Sequence, residues 1–132
     1  MLRKFIFWTG ASDLLVGGIT IYGAFLTVLV AGEAAEQFVP LIVLGMFLIM
    51  AAVCLMWASK ELFRRYPIVF WQGLVRLSAA SAILTAALIG HVEGWFYLLV
   101  VFDGTIGITY VLGSMRSTNL SFQDCLLCKD AA

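Results

Sequence analysis

Residues 66–90 read YPIVFWQGLVRLSAASAILTAALIG, an apolar run of membrane-spanning length with one guanidinium, Arg76, near its centre. Arginine keeps its proton inside a protein at every relevant pH. A charge at bilayer depth costs from ~3 kcal/mol on insertion scales to more than ~10 kcal/mol on an isolated helix. Such a position needs either a partner or a water-filled cavity. Two partners qualify, Asp13 and Asp103, each alone inside another hydrophobic stretch.

The rest of the composition agrees with this reading. Hydrophobic residues make up 63% of the chain and charged residues 12%, against roughly 45–50% and 25% in soluble domains. With a mean hydropathy of +1.04, too little polar surface remains to cover a water-soluble fold. The formal net charge is zero, so no global basic field favours nucleic acid. The expected fold class is all-α, a four-transmembrane-helix antiparallel bundle in the lipid bilayer. The spans fall near 5–30, 38–59, 67–90 and 95–114, forming one domain over 1–114, with a short polar cytoplasmic tail over 115–132. Each span reaches the about 17–25 residues that cross ~30 Å of hydrocarbon. Short connections make sequential neighbours antiparallel. Continuous rather than alternating hydrophobicity excludes a barrel.

Charge places the ends. Every Lys and Arg except Arg76 lies before span one (Arg3, Lys4), between spans two and three (Lys60, Arg64, Arg65) or after span four (Arg116, Lys129). The two remaining connections carry Glu33, Glu36, His91 and Glu93 and no basic residue. The bias predicts cytoplasmic termini, in a setting such as a bacterial inner membrane. Trp8, Trp57, Tyr66 and Trp95 stand near span ends, as interfacial aromatics do. The basic residues between spans two and three suit a topology determinant, contact with anionic headgroups, or both.

Along the chain, Asp13, Gly17, Thr20 and Ala24 form a polar-to-small stripe on one helix face, expected to face the bundle interior. Span two carries no charge, and Pro40 is expected in its first turn. Met46, Met50 and Met56 read as lipid-facing or gap-filling, and Cys54 as a small buried apolar residue. In span three, Gln72 stands one turn before Arg76, and Ser78, Ala82 and Ala86 make a small-residue ridge suited to close helix contact. In span four, Asp103 is followed by Gly107, Tyr110 and Ser114 on one face. The strings DLLVG and DGTIG are alike, as two halves of an internal repeat or by coincidence.

Counting at ~1.5 Å per residue puts Asp13 and Arg76 both about 12–14 Å from the cytoplasmic side, with Asp103 within a turn of that level. An intramembrane polar cluster of Asp13, Arg76 and Asp103 is therefore expected, with Gln72, Tyr110 and Thr20 extending its hydrogen bonds. Like charges raise one carboxyl pKa while the guanidinium lowers both, so a shared proton is conceivable. The cluster reads either as a structural lock between helices or as a site for a small ligand, a quinone headgroup or a proton.

Other chemistries fit poorly. One histidine, His91, cannot make a bis-histidine haem site, and it lies across the membrane from the cytoplasmic pair Cys125 and Cys128, so these do not share a zinc ion. The CxxC has no thioredoxin-like fold around it and reads first as a pair without a dedicated role; acylation, redox chemistry or a metal shared with a partner are the alternatives. No catalytic arrangement is visible. The chain alone calls for no cofactor, though quinone or lipid would suit the cluster.

The four spans and their isolated polar residues, Arg76 and Asp103 among them, resemble the small bacterial four-helix membrane proteins called DoxX-like. Some members of that group are similar to subunits of quinone-linked oxidoreductases. The small multidrug transporters also have four helices and a carboxylate in helix one, as Asp13 is here, but their dual-topology members lack so one-sided a basic bias. The leading expectation is an accessory subunit or ligand-binding module of a larger membrane complex or a homo-oligomer. The alternatives are a proton-coupled small-solute transporter acting as an oligomer and a quinone-binding component of a membrane oxidoreductase.

Overall fold

The computed structural model describes residues 1–31, 35–90, 94 and 96–129. The described residues are helical in long stretches: α1 (Leu2–Ala31), α2 (Ala35–Ala58), α3 (Leu62–Leu88), α4 (Phe96–Thr118) and a short α5 (Phe122–Leu126). The first four are long and apolar enough to cross a membrane, the make-up of a helical integral membrane protein. His91, Glu33, Glu93 and Trp95 lie outside the described residues. The chain divides into two compact units, Met1–Lys60 and Glu61–Ala132, and each is a helical hairpin.

In the first unit α1 and α2 pack along a seam of small residues. Gly10, Gly17 and Ala24 of α1 are buried, as are Gly45 and Ala52 of α2. These lie seven residues apart along each helix, the spacing that keeps one edge toward an antiparallel neighbour. A Cβ added at Gly17 would stand 2.8 Å from the Gly45 carbonyl oxygen, and one at Gly45 would stand 2.9 Å from the Gly17 carbonyl oxygen. Backbones this close need glycine on both sides. At the open end, Arg3 donates from Nε to the Ser59 carbonyl at 2.8 Å and from a terminal nitrogen to the Lys60 carbonyl. A cation thus closes the C-terminal end of α2, where carbonyls lack helical partners.

The second unit repeats the close approach with other residues. A Cβ on Gly73 would meet Tyr110 Cβ at 2.9 Å, and one on Gly107 would meet the Gly73 carbonyl oxygen at 2.9 Å. Below this crossing lies a core of Tyr66, Phe70, Val111 and Cys125, with Leu74, Leu77, Met115 and Leu120 packed against it. Helix α3 begins at Leu62 and is broken at Arg65 (φ −112°, ψ 17°), two residues before Pro67. Proline has no N–H to give to the carbonyl four residues back and its ring crowds that carbonyl. The regular part of α3 therefore starts close to the expected residue 67, with one extra turn ahead of it.

Several expectations are corrected. Helix α2 starts at Ala35, which moves Pro40 into its second turn. Cys54 is exposed rather than buried. In the small-residue ridge Ser78 and Ala82 are exposed and Ala86 is half-buried, and the close contact of α3 with α4 falls on Gly73. Tyr66 is no interfacial aromatic: it is 2% exposed, and its hydroxyl donates to the Lys129 carbonyl at 2.5 Å. The tail is not simply polar and loose. Helix α4 runs on to Thr118, Asn119 turns the chain in the left-handed region (φ 56°), and α5 packs back with Cys125 fully buried.

Candidate functional site

The residue with the highest cost of burial finds its partner within the second unit. Arg76 Nη1 donates to Asp103 Oδ1, joining α3 to α4. The sequence puts them there through the glycine crossing. Gly73 and Gly107 set the register of the antiparallel helices; Arg76 lies three residues after Gly73, and Asp103 four before Gly107. Both side chains then fall on the same side of the crossing, about one turn away. Arg76 is 11% and Asp103 24% exposed at the side chain. The pair is enclosed on the arginine side and partly open on the carboxylate side.

Of the other expected members, Gln72 is half-buried one turn before Arg76, and Tyr110 is wholly buried against Gly73. Thr20 and Asp13 belong to the first unit. Thr20 donates its hydroxyl to the Val16 carbonyl of its own helix at 2.9 Å. The same self-bonding occupies Thr27, Ser81, Thr85, Thr105 and Thr109. A hydroxyl on an apolar helix can satisfy itself by returning to the carbonyl one turn back. Asp13 is buried at 8% exposure, one turn before the crossing glycine Gly17.

The cysteines separate in role. Cys125 is buried, and burial first of all pushes its thiol pKa up, against a hydrogen bond with Thr118 that lowers it. Its thiol is therefore protonated and slow to react near neutrality. Cys128 is exposed and holds a left-handed backbone (φ 52°). Among the described residues, no third His, Cys, Asp or Glu completes a metal-binding group with these or any others. The tail's order was missed in the sequence, although a signal for it was present. Ser121 and Asp124 have the S-x-x-D spacing of a helix start: Ser121 Oγ accepts from the Asp124 N–H at 3.2 Å and bonds its carboxylate at 2.6 Å.

Comparison with protein families, with curated proteins and with solved structures gives no match for this chain.

Proposed function

We propose that the protein is a small polytopic subunit of a bacterial inner membrane, with both termini cytoplasmic, acting as an accessory subunit or ligand-binding module. In this reading it stands beside the DoxX-like proteins and has no catalytic centre of its own. The observation that carries the proposal is the Arg76–Asp103 pair joining two spanning helices. Apolar residues of similar volume would hold the same helices at no desolvation cost. A membrane-depth ion pair with a partly open carboxylate is a polar contact for a ligand headgroup or a neighbouring helix. The cytoplasmic placement is supported within each unit. Arg3 meets the end of α2 at Ser59 and Lys60, and Lys129 meets the start of α3 at Tyr66, so each hairpin carries basic residues at one end.

The test is affinity purification in mild detergent, with mass spectrometry of the proteins and lipids retained. The wild type should bring down a stable set of partner subunits or a bound lipid or quinone. Arg76→Leu/Asp103→Leu should lose that companion while remaining folded by circular dichroism. A folded double variant with an unchanged set of companions would exclude the pair as the binding element.

A further inference from the structure

Helix α5 lies beside α3 rather than beyond it. Cys125 is buried against Tyr66 and Phe70, the Phe122 ring stands 5.4 Å from that of Phe70, and Lys129 takes the Tyr66 hydroxyl. Tyr66 stands just after the break at Arg65, and Phe70 four residues further into the regular part of α3, about 6 Å along its axis. The tail thus turns back to the level of the first turns of a spanning helix. There it exposes large apolar side chains: Phe122 at 45%, Leu126 at 38% and Leu127 at 69%. Gln123 is exposed among them, and its long amide can reach toward water while its stem stays apolar, as amphipathic side chains do. Around this end stand the exposed cations Arg64 and Arg116, while Glu61 is paired with Arg65. Asp124, the acidic residue of α5, is already paired with Lys129 at 2.6 Å.

We infer that α5 and Leu127 form an interfacial anchor, seated in the boundary between headgroups and acyl chains of the cytoplasmic leaflet and favouring anionic phospholipid. The occupant follows from three observations taken together. The apolar face is level with a spanning segment, Phe63 and Trp71 of α3 are exposed at neighbouring levels, and the surrounding charge is basic. Apolar side chains at that depth meet acyl chains, and Lys and Arg at its rim meet phosphate. The inference rests on the four helices crossing a membrane with the termini cytoplasmic and is independent of any ligand at Arg76.

The experiment uses the full chain, with Cys54→Ala and Cys128→Ser, reconstituted in phosphatidylcholine vesicles with or without phosphatidylglycerol. A spin label is placed by Leu126→Cys, Glu61→Cys or Leu112→Cys, one at a time. Collision with oxygen and with a water-soluble nickel chelate is then measured. The label at 112 reports whether α4 spans and should meet oxygen almost exclusively. The label at 126 should meet the chelate several-fold less than the label at 61, and less still when phosphatidylglycerol is present. Equal chelate access at 126 and 61, with 112 protected, would overturn the anchor while leaving the spanning helices intact. Protection at 126 that is indifferent to phosphatidylglycerol would overturn the anionic preference.

Discussion

Arg76 and Asp103 illustrate how far a single residue's physics reaches. The guanidinium is always charged, so removing Asp103 or Arg76 leaves the other as a part-buried charge without this ion pair. Arg76→Leu is expected to destabilise the second hairpin by about 3–5 kcal/mol, and Arg76→Leu/Asp103→Leu to recover most of that loss. Thermal unfolding in mild detergent checks both, and a double variant as unstable as the single one would deny the pairing. Tyr66 makes a smaller claim. Tyr66→Phe deletes the hydroxyl given to Lys129 and should cost roughly 0.5–1.5 kcal/mol, read as faster proteolysis within the tail. Asp124 adds a pH dependence. The Lys129 ammonium, then the Ser121 hydroxyl, hold its carboxyl below the usual carboxylate range. A folded pKa lower than the unfolded one means its contribution is complete above the unfolded value, ~4, and fades as pH falls through the folded value. Amide exchange in residues 122–127 should therefore be slow and pH-independent in protection near neutrality, then lose protection in strong acid. Protection that is unchanged in Asp124→Asn at neutral pH would remove this carboxylate from the account.

At the scale of the helix, the two hairpins share a device. In each, an aspartate stands one turn before the glycine at which the helices cross: Asp13 before Gly17, and Asp103 before Gly107. The partner helices differ. Arg76 follows Gly73 by three positions, whereas the matching position after Gly45 is Leu48. The likeness of DLLVG and DGTIG thus marks equivalent places at two crossings, on the outgoing helix of one hairpin and the returning helix of the other. Gly18, Gly23 and Gly104 carry no such duty, since a Cβ at any of them would meet nothing within 4 Å. Gly73→Ala or Gly107→Ala should cost about 1–3 kcal/mol by forcing the helices apart. Gly18→Ala should instead stabilise by about 0.5–1 kcal/mol, through lower backbone entropy in the unfolded chain. Unfolding midpoints of the three variants decide the matter, and equal effects at positions 18 and 73 would refute the crossing as described.

For the molecule as a whole, the one-sided basic charge predicts that a reporter joined after Ala132 is active only as a cytoplasmic reporter; activity on the far side would reverse the topology. The four spans were legible in the sequence because hydropathy and length are sums over twenty residues, and such sums survive any detail of packing. The need of Arg76 for a partner or a water-filled cavity was legible for the same reason: desolvation of a permanent charge is a cost borne by the residue wherever it sits. Which face of each helix meets its neighbour was not. In an apolar environment the outward face is as hydrophobic as the inward one, so periodicity loses its contrast, and the ridge of Ser78 and Ala82 looked as suitable as Gly73. The tail was hidden for another reason: its order comes from Tyr66, Phe70 and Val111, far from Cys125 in the chain. By itself, then, the sequence determined four segments long and apolar enough to span a membrane and the demand of Arg76 for a partner or a polar cavity. Tertiary structure alone decided that Asp103 meets that demand within the second hairpin, which glycines let backbones touch, and that the last residues fold back against α3. Those choices depend on distances between atoms remote in sequence, which no local sum of residue properties contains.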